Sequence, residues 1–441
     1  MFKTILHQIW NQRKMNGWIF LELLVVSFFL WMVIDPIYVI TANRSIPKGY
    51  NSHGLYVVNV GQRSAGEAAY RAEAATDSMR QSDYLHLVYL LRNQPEVAHC
   101  CIAPAQSIPS GRSWSGGQLF TDTASAAANN QSEGHYVHVL QFPVLLEGEE
   151  QLLDLFGITD ARTGGRVIIP DQPDGKILLS RDAARRLFGK ADAIGRKLYR
   201  GDKKEYEVAG IYNDYKYVSC WQPYPSFAEF KRGVKSSGWM QYSYQLLIRL
   251  KQGADEQAFC RRFREEVMPA CNVGNFYFSG IDSIDHLNQE RERNLGIVNK
   301  MRLQTALAGF ALLCIFLGMV GTFWIRTEAR RQEIGLMRSI GASRRTISKQ
   351  FLIESWLLLS VAFVLALVVI FNYVWLEGFY VVEQHGTLVP DAAYPQNRFG
   401  AHFVTVSLLT YFMLWAIVWI GTYIPTRQAA RTLPAEALRD E

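Results

Sequence analysis

Polar and apolar residues segregate along this chain. Four apolar runs, at 17–40, 303–325, 351–376 and 403–424, are each long enough to cross a bilayer as a helix, which takes about 20 residues. The first is too long for a signal peptide and has no small-residue cleavage site before Asp35-Pro36, so it is expected to stay as an anchor. Ahead of it, Phe2, Ile5, Leu6, Ile9 and Trp10 fall on one helical face, with Lys3, Gln8, Gln12 and Lys14 elsewhere. That spacing predicts an amphipathic helix over 1–16 lying in the membrane interface. A frayed terminus is the alternative.

Between the first two runs the pattern is that of a soluble domain, over 41–281. Strand character is expected at 54–60, 135–146, 176–180, 205–214 and 244–250, and helices at 65–92, 182–189 and 255–267. Ser180 or Asp182 is placed to cap the second of these helices, and Gly189 to stop it. The stretch 107–132, rich in Gly, Ser, Ala and Asn, reads as an exposed loop. Mixed strands and helices on this scale imply an α+β domain.

From 282 to 302 the pattern is helical again, with Ile284, Leu287, Leu295, Val298 and Met301 at roughly heptad spacing and Gly296 as the one breaker. One continuous stalk helix running into the second span is expected, with a bend at the junction as the alternative. Within the spans, Glu22 lies near one membrane face and Asn372 near the other, and no relay of carboxylates or histidines is evident, which argues against proton-coupled transport. Gly318, Gly321 and Thr322 form a small face suited to close helix packing.

Charge sets the expected orientation. Lys3, Arg13 and Lys14 precede the first span; Arg326, Arg330, Arg331, Arg338, Arg344, Arg345 and Lys349 lie between the second and third; Arg427, Arg431 and Arg439 follow the fourth. The 377–402 loop has only Arg398 beside Glu377, Glu383 and Asp391. The positive-inside rule then puts both termini and the 326–350 loop in the cytoplasm, and 41–302 and 377–402 outside. The net charge of +6 is accounted for by this bias, and no basic stripe with interleaved aromatics points to nucleic acid.

Chemistry is sparse. The chain has six cysteines and no CxxC pair, which leaves neither a zinc nor a thioredoxin-type motif. In an oxidising compartment Cys260 and Cys271 could pair, and free buried thiols are the alternative. His135 and His138 sit on a strand, where alternation sends them to opposite faces, and His99-Cys100-Cys101 lacks a partner pair, so structural roles are expected for both. No HExxH, GxSxG or G-x-x-x-x-G-K-[ST] motif occurs, so no catalytic group, metal or cofactor is expected. ATP, if used, would be bound by a partner.

Three ordered motifs resemble the MacB/FtsX-like family of ABC-transporter permeases. These are FGITDARTGGR (156–166) followed by ILLSRDAARRLFGKADAIGRKL (177–198), RRQEIGLMRSIGASRRTISKQFLIES (330–355), and PTRQAARTLPAEALRDE (425–441), although Arg181 stands where the family often has Glu. With the one-plus-three layout, the likeness covers nearly the whole chain and is weakest over 61–150. The resemblance implies an α-helical membrane protein with four transmembrane helices and a large α+β extracytoplasmic domain between the first two, in the cytoplasmic (inner) membrane. It implies a dimer with a second permease copy or paralogue, docked on a separate P-loop ABC ATPase, with an adaptor and outer-membrane channel as further partners. Within 333–345, Glu333, Ile334, Gly335, Met337, Arg338, Gly341, Ala342, Arg344 and Arg345 would form the ATPase-docking coupling helix and its turn. The activity implied is export or membrane extraction driven by that ATPase. A permease that signals to a cell-wall hydrolase, and a scaffold without ATP coupling, are the alternatives.

Overall fold

The computed structural model describes residues 13–111, 113–128, 134–144, 152–172, 174–189, 192–201, 204–232, 244–382, 388–391 and 396–429. Most of the amphipathic lead segment 1–16 and of the 425–441 tail lies outside them. The chain forms two compact units, Asn43–Asn294 and the remainder, Met1–Ala42 with Leu295–Glu441.

The chain begins with α1 (Arg13–Ser45), which holds the first apolar run. The inserted unit follows. Its four-stranded antiparallel sheet, ordered β10-β1-β9-β2, is built from β1 (Leu55–Gln62), β2 (Val97–Pro104), β9 (Tyr244–Leu250) and β10 (Phe276–Ser283). The entering strand β1 and the leaving strand β10 are neighbours, with Val57 opposite Asp282. Helix α2 (Asp77–Arg92) covers one face, burying Tyr84, Leu87, Val88 and Leu91 against Cys100, Ile102 and Ile248. It starts later than its apolar pattern suggests because Thr76 accepts from Met79 N and sets the boundary.

The second half of the unit is a closed six-stranded barrel, ordered β3-β4-β8-β5-β7-β6. Its strands are β3 (Gly116–Phe120), β4 (His135–Val144), β5 (Lys176–Ser180), β6 (Lys197–Arg200), β7 (Glu205–Tyr212) and β8 (Ser226–Arg232). Two short helices, α3 (Thr123–Ala128) and α4 (Leu152–Phe156), accompany them. Closure removes the exposed edges that so many short strands would otherwise present. Helix α5 (Arg181–Phe188) follows β5. Ser180 Oγ accepts from Ala183 N at 3.2 Å, and Gly189 at φ +68° ends the helix. Within the expected loop at 107–132, the described residues are more regular than the composition suggests. They supply β3 and α3, and Ser107, Ile108 and Ser110 are buried. Small residues serve here because a Cβ on Gly111 would sit 2.1 Å from the Ala105 carbonyl oxygen.

Helix α6 (Glu256–Arg262) is capped by Asp255, which accepts from Gln257 N and Ala258 N at 3.0 Å, and it continues through Phe263–Val267. The bridge considered between Cys260 and Cys271 is not formed: both are free thiols. Cys260 neighbours Tyr56, whereas Cys271 lies against the Phe278 backbone, and burial pushes its thiol up to about 11.

The expected continuous stalk is also corrected. Helix α7 (Ile284–Asn294) ends, and α8 (Ile297–Ala329) begins after Gly296 at φ +71°. A left-handed residue cannot continue a helix, and glycine takes that conformation at no steric cost.

The membrane unit comprises α1, α8, α9 (Arg331–Ser339), α10 (Arg344–Glu377) and α11 (Gln396–Ala429). A hairpin of β11 (Phe379–Val382) and β12 (Leu388–Asp391), invisible to the apolar pattern, lies between the last two. Among the described residues four helices are long and apolar enough to span a membrane: α1, α8, α10 and α11. Their shared core includes Leu23, Trp31, Ile315, Met319, Leu359, Ala366 and Val406. Phe310, Leu313, Leu317, Val364 and Val368 are exposed, as lipid contact requires.

Candidate coupling segment

The short helix α9 is anchored by charge as well as by its buried Ile334. At the end of α8, Arg326 and Arg330 are buried, and on α10 Glu354 is 1% exposed. Arg326 donates to Glu354, and the second Glu354 oxygen lies 3.5 Å from Arg330. Arg330 also grips Glu333 on α9 through two hydrogen bonds of 2.7 and 2.9 Å. The two guanidinium groups lie over Phe323 and Phe351, 5.0 and 4.8 Å from the ring centroids. Two cations and two carboxylates thus knot three helices together. Buried charges are tolerated only when so paired, and the fork of arginine suits a carboxylate.

The candidate residues divide around this knot. Ile334 and Gly335 are buried, Met337, Arg338 and Ala342 are half-buried, and Leu336 and Ile340 are 54% and 79% exposed. Gly341, at φ +98° with open space around it, makes the turn, so glycine is required there by the backbone and not by crowding. Ser343 Oγ then accepts from Thr346 N at 3.1 Å and starts α10. Arg344 and Arg345 follow at once, both exposed. Cations in the first turn of a helix oppose its dipole, so the fold itself gains little from them. The result is a protruding apolar tip, Leu336 and Ile340, beside exposed basic groups.

The three residues of the small face have different surroundings. A Cβ on Gly318 would lie 2.0 Å from Glu22 Oε1, so α8 meets α1 there, while Gly321 faces open space and Thr322 is half-buried. The tight contact with α11 uses a glycine outside that face: a Cβ on Gly421 would meet Met319 Cβ at 3.0 Å. Sequence reasoning also missed Glu354 and the buried pair Asp35–His402, joined at 2.7 Å, with the His402 ring stacked 3.9 Å from Phe379. The signal available for each was an ionisable residue at the margin of an apolar run. Of the two histidines on β4, His135 is exposed and His138 buried, and no metal-holding group of three His, Cys, Asp or Glu occurs among the described residues.

Residues 37–266 match the MacB-like periplasmic core domain, and residues 305–434 match the FtsX-like permease C-terminal region. Similar proteins include a probable syringafactin export ATP-binding/permease protein, SyfD, of Pseudomonas syringae pv. tomato, 23% identical over 64% of this chain and 38% of that protein. A probable export ATP-binding/permease protein MacB of Pseudomonas entomophila is 22% identical over 71% of this chain and 42% of that protein. The macrolide export ATP-binding/permease protein MacB 2 of Aeromonas hydrophila is 25% identical over 61% and 38%. The chain thus spans about two fifths of the length of these relatives. Among solved structures, the periplasmic region of MacB from Actinobacillus actinomycetemcomitans covers 56% of this chain and 96% of its own, at 14% identity and a TM-score of 0.31.

The two family matches cover most of the chain and define its class, a multi-pass membrane permease with a large α+β core domain between its first and second membrane helices. Within that class the chain belongs to the MacB/FtsX-like family of ABC-transporter permeases.

Proposed function

We propose that this chain is the force-transmitting permease of an inner-membrane ABC exporter or extractor. Its α9 segment docks a nucleotide-hydrolysing motor that is not encoded within these 441 residues, which contain no P-loop motif. The observation that carries the reading is the ionic knot of Arg326, Glu354, Arg330 and Glu333 holding α9 rigidly to α8 and α10, with Leu336 and Ile340 left bare at its tip. A motor pressing on that tip moves two membrane helices together. ATP is bound and hydrolysed by the motor, and this chain contributes no catalytic group. A second permease copy or paralogue completes the assembly, and the names of the relatives favour export, with an adaptor and an outer channel as further partners.

Ile340→Asp and the double change Arg344→Glu with Arg345→Glu replace exposed groups, so membrane insertion should persist. The P-loop ATPase that co-purifies with the wild-type chain in mild detergent should be lost, as seen by mass spectrometry. Undiminished co-purification with both variants would remove α9 as the docking site.

A further inference from the structure

Two features of the inserted domain meet at the loop 213–225, which joins barrel strands β7 and β8. The first is polar. Lys216 is 1% exposed, and its ammonium group donates to the carbonyl of Asn43, in the last turn of α1, and to that of Ser219 at 3.1 Å. A cation at the carbonyl end of a helix meets the negative pole of its dipole. Burial draws the Lys216 ammonium down to about 8, which still leaves it charged at neutral pH. The Asn43 side chain donates to the Cys220 carbonyl at 3.0 Å. On the leaving side, Glu292 of α7 accepts from Ser219 Oγ at 2.6 Å and from Arg44. Gly49 lets the entering segment touch the loop backbone, since a Cβ there would lie 2.3 Å from the Asp214 carbonyl oxygen.

The second feature is aromatic and faces the barrel. Trp114 stacks on His138 of β4 at 3.8 Å, and Tyr217 and Trp221 pack edge-on against Trp114 at 5.0 and 5.6 Å. The Tyr217 hydroxyl donates to the Ser113 carbonyl, and Ser110 N–H donates to the Tyr217 carbonyl at 2.7 Å. The sheet needs no such device, because β1 and β10 continue directly from the entering segment and into the leaving helix. The barrel has neither end of the domain within it.

We propose that the 213–225 loop is the gear between the chain's two connections and the barrel, with Lys216 and Glu292 as its positioning residues. The inference rests on the force-transmission reading above. It makes the clasp the polar link from the two connections to the barrel, beside the apolar core in which Leu140, Leu178 and Ala228 of the barrel pack with Leu55, Val57 and Leu247 of the sheet.

Hydrogen–deuterium exchange on the full-length chain tests it in two arms. Without any motor, Lys216→Met and Glu292→Gln should speed exchange across 213–225 at least tenfold, while β1, β9 and β10 stay at wild-type protection. With the co-purified motor in nanodiscs, adding magnesium and a non-hydrolysable ATP analogue should change exchange in α9, the sheet and the barrel strands of the wild type. In both variants the change in α9 and the sheet should remain and that in β5 and β7 should fall by at least half, with Lys216→Arg recovering part of it. A barrel response of wild-type size in the variants, or wild-type exchange in 213–225, overturns the gear. No nucleotide response in the inserted domain of the wild type overturns the force-transmission reading itself, and the gear falls with it.

Discussion

At the scale of single residues, burial decides which charges matter. Glu354 and Arg326 are essentially inaccessible, so removing one strands the other. Breaking a buried pair from one side costs about 3–5 kcal/mol, whereas replacing both partners by apolar groups is often neutral. Glu354→Leu should therefore destabilise the chain in detergent by about that amount, and Arg326→Met with Glu354→Leu by clearly less. A double-mutant cycle on thermal unfolding measures the difference, and additive losses would mean that the knot is not a coupled unit. His138 offers a pH test. Burial against Trp114 pulls its imidazole down to about 3. The unfolded chain then binds a proton that the folded one refuses between about 6.5 and 3, so stability falls as pH drops through that window. The loss should reach about 2 kcal/mol at pH 5 relative to pH 8, at about 1.4 kcal/mol per pH unit. His138→Phe should remove that share of the acid sensitivity, read as the difference between the two pH-dependent melting curves. Strand alternation made it legible that His138 and His135 face opposite sides of β4. Glu354 stood inside a quoted motif, yet nothing in one dimension shows that it meets Arg326 from another helix.

At the scale of elements, regular pattern was readable and its interruptions were not. The barrel strands β5 and β7, the cap at Ser180 and the stop at Gly189 follow from local chemistry, and they stand where the pattern puts them. Strand β3 was hidden because two of its five residues are glycine and only Leu119 and Phe120 are buried, too short a run for alternation to register. The stalk was misread as continuous for a related reason: one glycine in a heptad pattern is compatible with either a helix or a break. Gly296 has open space where a Cβ would go, so Gly296→Ala tests what causes the break. Alanine disfavours the left-handed conformation by about 1–2 kcal/mol and favours the helix by about 1 kcal/mol. The variant should join α7 to α8, seen as amide exchange slowing several-fold over 294–298. Unchanged exchange with a lowered melting temperature would mean that packing on either side, and not glycine, imposes the break.

At the scale of the molecule, the segregation of charge carries the argument. Seven basic residues lie between 326 and 349, yet the structure uses only some of them internally: Arg326 and Arg330 close the ionic knot, whereas Arg344, Arg345 and Lys349 are exposed. The positive-inside rule predicts that exposed cations at a membrane margin lie on the cytoplasmic side. The force-transmission reading requires the inserted domain to be on the other side. Single cysteines introduced at Ser339 on α9 and at the exposed Glu207 on β7 address this directly. The native cysteines interfere little, since four are buried, Cys260 is partly covered and Cys314 lies within the apolar α8. In spheroplasts an impermeant maleimide should label Glu207→Cys at once and Ser339→Cys only after the membrane is opened. Labelling of both from the same side would leave α9 no motor to meet across the bilayer from the domain, and the ionic knot would then be a packing device alone.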